Sequence, residues 1–395
     1  MEKTNKNDVN IIEKGLKFFR KNSMVIILIM IMVIFQILTN GLLMKPLNIT
    51  NIFLQNSYIL VLAIGMLILI VLNQIDLSVG SIVGLIGALA GTLMAEMNVP
   101  IAPAIIASVV MGIFIGAFQG FWVAIVGVPA FIVTLSGQLL YRGITMIILQ
   151  GKTIAPLPVK FQVFSTKFIP EIFPEIMGLK TNALIFGAVA VLALLVVQAR
   201  SRARKISYDI KVEKIPMFIA KLVALGTTVM AFAYILASHN GVPIIIVILF
   251  SLALIYHFIM SHTKLGRHIY AIGGNKKAAI LSGIKAKKIT ILAFANMGLL
   301  AAVSGLIFAS RLNAATPQAG TGFELDAIAA SYIGGASATG GVGKVMGAIV
   351  GGLVMAVLNN GMSLMGAGTD VVYAVKGLVL LLAVALDVVN RKRAS

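Results

Sequence analysis

Apolar runs of about twenty residues recur along this chain from end to end, and they leave few folds open. A run of that length crosses the roughly 30 Å hydrocarbon core of a bilayer as a helix. Inside lipid every backbone amide must find its partner within the protein. Such runs fall at 24–44, 52–72, 78–97, 101–126, 129–149, 182–198, 216–236, 243–260, 289–311, 324–341, 345–366 and 371–389. They predict an all-α, polytopic membrane helical bundle of about twelve segments. One segment, 324–341, is expected to be broken or re-entrant, because Gly334-Gly335 and Gly340-Gly341 interrupt it. Only 11% of the residues are charged, against about a quarter in a soluble domain. The whole of 1–395 reads as one transmembrane domain.

The basic residues give this domain a direction. Twenty-three of the 32 Lys and Arg fall in the 1–23 tail, the 199–215 loop, the 261–288 loop, at Lys344 and at 391–393. Five, Lys45, Lys152, Lys160, Lys167 and Lys180, fall on the other side. Lys and Arg collect on the cytoplasmic side of membrane proteins, so both termini are predicted to be cytoplasmic and 150–181 external. The net charge of +19 comes from short loops beside apolar runs, and not from a face shaped for nucleic acid. No small-residue cleavage site follows the first run, which is read as a retained span. Cysteine is absent, which excludes disulfides and thiol catalysis.

Several stretches depart from plain apolar helix. Gly80, Gly84, Gly87 and Gly91 recur three or four residues apart, and Gly347, Gly351 and Gly352 repeat the pattern. Bare faces of this kind let helices approach closely. In the external loop, Pro156, Pro158, Pro170 and Pro174 prevent a continuous helix. Phe161, Phe164, Phe168 and Phe173 suit a segment at the membrane surface. A plain connector and a docking surface for an external partner both remain open.

Charges within apolar spans are costly and so mark places of interest. Asp76 lies in Asn73-Gln74-Ile75-Asp76-Leu77-Ser78, where two runs meet. It can hold the start of the following helix or line a polar path. Glu324 and Asp326 open the tenth segment and allow the same two readings. Arg142, Lys376 and Asp370 lie nearer the outer edge, where long basic side chains can snorkel.

The 261–288 loop carries seven basic and no acidic residues. Within it, Gly273-Gly274 is expected to break the chain, Asn275 to cap a short helix over Ala278, Ala279, Ile280 and Leu281, and Gly283 to stop it. A two-turn helix is not stable alone. It needs a surface, and we assign that surface to another protein.

No catalytic constellation accompanies these features. Gly343-Lys344 lacks the earlier glycine and the following Ser or Thr of a phosphate loop, with Ala338 and Val345 in those places. The four histidines, His239, His257, His262 and His268, have no metal-ligand spacing.

Several separated motifs then resemble one known family. They are Asp76-Leu77-Ser78-Val79-Gly80-Ser81; Leu265-Gly266-Arg267 with Ala271-Ile272-Gly273-Gly274-Asn275, Ala278-Ala279 and Leu281-Ser282-Gly283-Ile284; Gly320-Thr321-Gly322-Phe323-Glu324-Leu325-Asp326; and Leu358-Asn359-Asn360-Gly361. In this order they look like the permease subunits of ribose/xylose/galactose-type ABC importers, over about 50–150 and 243–390. The resemblance implies a non-enzymatic transport subunit of the bacterial cytoplasmic (inner) membrane that pairs with a second copy of itself. It implies a separate cytoplasmic double-cassette ATPase that binds the ATP, so that this chain itself carries no cofactor and no metal. It also implies an extracytoplasmic sugar-binding protein. Gly266, Arg267, Gly273, Gly274, Asn275, Ala278, Ala279, Ser282, Gly283 and Ile284 would then form the ATPase-coupling foot. The translocation path would pass near Asp76, Ser78, Ser81, Phe323, Glu324 and Asp326.

Residues of about 160–240 form an insertion that shorter ribose-type permeases lack, so the chain is more similar to the longer xylose or multiple-monosaccharide permeases. The alternatives are an ABC permease for a branched-chain amino acid, a nucleoside or a signalling furanose, and an ion-coupled secondary transporter. The last would need buried carboxylates, for which Asp76 and Glu96 are the candidates.

Overall fold

The structure is a computed structural model that describes residues 24–392. The 1–23 tail and Arg393, which carry part of the charge argument, lie outside the described residues. In chain order the helices are α1 (Met24–Leu38), α2 (Pro46–Val71), α3 (Val79–Glu96), α4 (Ile101–Val126), α5 (Ala130–Leu149), α6 (Val163–Thr166), α7 (Thr181–Ser207) and α8 (Ile215–Ala237). They continue with α9 (Ile244–His262), α10 (Lys264–Gly274), α11 (Lys276–Leu281), α12 (Ala286–Leu312), α13 (Phe323–Ile333), α14 (Val345–Leu364) and α15 (Thr369–Lys392). Among the described residues, nine are long and apolar enough to cross a membrane. No strand forms there beyond three isolated bridges.

Proline sets many of the starts. Pro46 and Pro216 stand in the first turn of α2 and α8, and Pro100, Pro129 and Pro243 immediately precede α4, α5 and α9. A helix leaves its first amides unpaired, so a residue without an N–H is tolerated there.

The bundle is built around α2, whose most apolar window is 89% buried, whereas that of α8 is 11% buried. The hydroxyls of Ser304 on α12 and Ser331 on α13 each donate to an α2 carbonyl, of Tyr58 and Ala63, at 3.3 Å. The glycine face of α3 serves close approach: a Cβ at Gly84 would lie 2.6 Å from the Ala319 carbonyl oxygen. The hairpin of α7 and α8 stands at the periphery. It touches the core where Phe232 meets Phe53 edge-on, with centroids 5.4 Å apart.

The tenth run forms an 11-residue helix, α13, followed by an irregular stretch. At 1.5 Å per residue α13 is about 16 Å long, half a crossing. The long loop after α5 is pinned to the ends of later helices. Ile154 exchanges two backbone hydrogen bonds with Ala315 at 3.0 and 2.9 Å. Asn313 accepts from Leu157 N and Gln162 Nε2, both at 2.9 Å. Phe161 is fully buried.

Candidate functional site

Two polar breaks inside the apolar bundle meet to form a seam. In the first, between α2 and α3, Asn73 takes a left-handed backbone (φ 59°) that ends α2. Asp76 Oδ1 accepts from Ser78 N at 2.8 Å and from Ser78 Oγ at 2.6 Å. The same Ser78 oxygen accepts from Gln119 Nε2 at 2.7 Å. Asp76 thus braces the start of α3 through Ser78 N rather than bonding to amides within the first helical turn. Its second oxygen, Oδ2, is buried without a hydrogen-bond partner.

The second break runs from Asn313 to Gly322. Arg142 of α5 closes it, with Nη1 donating to the carbonyls of Pro317 and Ala319, both at 2.7 Å. Gln138 Nε2, one turn earlier, donates to Glu324 Oε1 at 3.2 Å. The two breaks touch backbone to backbone at Gly80 and Gly320. A Cβ on Gly80 would lie 2.2 Å from the Gly320 carbonyl oxygen and 2.4 Å from Glu324 Oε2.

Beside the seam, Lys376 of α15 lies 2.9 Å from the carboxylate of Asp326. Phe323 stacks on Tyr58 with centroids 3.9 Å apart and meets Phe308 edge-on at 5.0 Å.

The six expected path residues fall within this region, and each of them, Asp76, Ser78, Ser81, Phe323, Glu324 and Asp326, is 9% exposed or less. The seam is therefore packed away from solvent at these six positions. Lys376 corrects the snorkelling expectation: its ammonium is buried against Asp326, whose carboxylate balances a charge that would be costly to bury alone. Arg142 is likewise turned inward onto two carbonyls. Glu96 is exposed and cannot serve as a buried ion-binding carboxylate. Gln119 and Gln138 are members of the seam that a search for charges in apolar runs passes over, although a glutamine amide within such a run is a signal of its own.

The other candidate element is the foot made by α10 and α11. Thr263 Oγ1 accepts from Gly266 N at 3.2 Å and starts α10. Asn275 Oδ1 accepts from Ala278 N at 3.0 Å and caps α11, the role expected of it. Gly283, at φ 83°, ends α11 in the left-handed backbone that glycine tolerates best. Gly273-Gly274 does not break the chain as expected. The pair forms the last turn of α10, and Gly273 is glycine for a different reason: a Cβ there would fall 1.7 Å from the Val71 carbonyl oxygen at the end of α2.

Gly341 N donates to that same Val71 oxygen at 2.8 Å, and Tyr270 Oη donates to Gly343 O at 2.7 Å. Burial pushes the Tyr270 phenol above its ordinary pKa, which keeps it a donor. The base of the foot is thus locked to α2 and to the loop after α13. Its tip is open. Asn275, Ala278, Ser282 and Gly283 are exposed, as are Gly274 and Arg267, while Gly266, Gly273 and Ala279 are buried and Ile284 is half-buried. Leu281 is 89% and Ile280 51% exposed.

A multi-pass helical bundle with a buried polar seam and a capped basic foot has the build of a membrane transport subunit. A family described as the branched-chain amino acid transport system / permease component matches residues 48–384, and the chain belongs to that family. It is a family of transport permeases, not of enzymes. The chain is 38% identical over 370 residues to a xylose transport system permease protein of Haemophilus influenzae, covering 94% of this chain and 96% of that one. It is 37% identical to the xylose transport system permease protein of Escherichia coli K12, over 94% and 92% of the two chains. A ribose import permease protein of the same organism is 33% identical, over 88% and 86%. No solved structure matches the chain.

Proposed function

We propose that this protein is the membrane permease of an ATP-driven monosaccharide importer, for xylose or for several aldoses. Two copies pair in the bacterial inner membrane with both termini in the cytoplasm. The 199–215 and 261–288 loops face the cytoplasm, and the 150–181 loop faces outward toward a sugar-binding protein. A separate double-cassette ATPase binds the ATP and docks on the foot. Its closure moves α10 and α11, and the pair of permeases alternates between outward-open and inward-open forms about the seam.

The observation that carries this reading is the foot itself. Its tip presents Ile280 and Leu281 to solvent, while its base is bonded to α2 and to the loop after α13. An apolar tip on a locked base suits an element that is gripped by a partner and passes the movement inward. The likeness to xylose permeases along nearly the full length supports the cargo class.

The test is uptake into proteoliposomes holding the permease, its ATPase and its binding protein. Labelled xylose, ribose and galactose should enter only with internal ATP, and a proton ionophore should leave uptake unchanged. Uptake that follows an ion gradient without ATP refutes the proposal. The family description keeps one second reading in view, so leucine and a nucleoside belong among the competitors. Either one displacing the sugars would move the assignment.

A further inference from the structure

A cleft of about 820 Å³ opens between α1, α9, α10 and the start of α14, outside the seam and beside the base of the foot. That volume lies within the range of small-ligand sites, roughly 300–1,000 Å³. Its floor is apolar and lies open: Val342 is 56% exposed, Met346 49% and Val25 47%, with Val350 beneath them. The neighbouring outer surfaces continue in the same character, with Ile29 and Val33 of α1 at 55% and 53%, and Leu254 and Phe258 of α9 at 51% and 60%. The floor is thus continuous with surface that faces acyl chains.

The rim is basic. Arg267, Lys344 and His257 line it, and no acidic residue does. Among the described residues neither Arg267 nor Lys344 is in an ion pair. An apolar trough that ends in two unpaired cations matches a molecule with a hydrocarbon tail and an anionic head.

We propose that this cleft binds one anionic phospholipid of the cytoplasmic leaflet. Its phosphate lies between Arg267 and Lys344, and an acyl chain lies on Val342, Met346 and Val350. The inference rests on the sidedness proposed above. The 1–23 tail is the poorer occupant, because its six Lys and Arg outnumber Glu2, Asp8 and Glu13 and leave it net basic like the rim. A lipid seated here bridges α10 and α14, and so ties the base of the foot to the helix that follows the irregular loop.

The test is native mass spectrometry of the delipidated full-length chain in detergent, without the ATPase, titrated separately with phosphatidylglycerol, phosphatidylcholine and glycerol 3-phosphate. We expect one tightly held phosphatidylglycerol per chain, and weaker binding of the neutral lipid and of the free headgroup. R267Q/K344Q weakens phosphatidylglycerol binding by roughly thirty-fold, from two lost charges near an anionic headgroup. R267K/K344R retains it, and K211Q/K214Q in the other basic loop leaves it unchanged. Val350→Trp, which fills the floor and keeps both charges, also excludes the lipid, so the inference does not depend on one variant folding.

Equal binding of both lipids, or binding unchanged in both R267Q/K344Q and Val350→Trp, overturns the proposal. A site that appears only when residues 1–23 are deleted overturns it in favour of the tail. A site lost when two chains pair overturns it in favour of a second copy. Because the readout is lipid retained by the chain alone, its failure leaves the transport assignment standing.

Discussion

The two adjacent glycines at the end of α10 make a sharp internal control. A Cβ on Gly273 would sit 1.7 Å from the Val71 carbonyl oxygen and 2.7 Å from Gly341 N. Both neighbours are backbone, so neither can swing aside as a side-chain end would. Real Cβ atoms essentially never come within 3.0 Å of such an atom, so Gly273→Ala must push α10 off the end of α2 by about 1.3 Å. Overpacking of this kind costs about 1–3 kcal/mol. A Cβ on Gly274, one residue on, meets nothing within 4 Å. There alanine should stabilise by about 0.5–1 kcal/mol, because it lowers the entropy lost on forming a helix.

At roughly 1 °C per kcal/mol for a chain of this size, the two variants should straddle the parent Tm and differ by about 2–5 °C. Thermal unfolding of the detergent-purified chain reads this directly. If the foot couples to the ATPase as proposed, Gly273→Ala in the reconstituted transporter should also lower ATP-driven uptake, since the foot is displaced from α2. Two alanines with the same Tm, or a Gly273→Ala protein with parental stability and parental uptake, would refute the packing argument.

Three further outcomes follow from the geometry. Lys376→Met leaves the Asp326 carboxylate buried without its cation and should cost about 3–5 kcal/mol, while Lys376→Met with Asp326→Leu should recover most of that; Tm values of the single and double variants check it. Ile280→Asp with Leu281→Asp should leave the Tm of the isolated chain within a degree, because both side chains are exposed, yet abolish ATPase-dependent uptake. Tyr270→Phe should cost about 1 kcal/mol through the lost bond to Gly343. Burial raises the Tyr270 phenol above its usual value of 10.0, so the folded state keeps the proton that the unfolded chain gives up. That loss should therefore stay constant below about pH 10 and turn pH-dependent only above it, as unfolding midpoints measured across that range will show.

Features written locally in the chain are legible from the sequence. The spans follow from uninterrupted apolar runs, since lipid permits little else. Asn275 and Gly283 bracket α11 because caps act within a turn of where they stand. Asp76 stands out as a charge between two apolar runs. What stays hidden depends on distant neighbours. Gly273-Gly274 reads as a break because glycine is a poor helix former; the need for glycine at 273 comes from the carbonyl of Val71, some two hundred residues earlier, at which no side chain would fit. Lys376 resembles a snorkelling lysine because its partner, Asp326, is on another helix. Gln119 and Gln138 carry no charge, and only the folded bundle brings them to Ser78 and Glu324.

The central position of α2 has a mechanical consequence. It is gripped by α8, α9, α10, α12, α13 and α14, so it cannot slide along its axis without prising every one of them apart. On the proposed transport reading, the pieces that move should then be those that swivel about α2 as a fixed spindle. Substitutions in that spindle should seize the whole machine instead of changing what it carries.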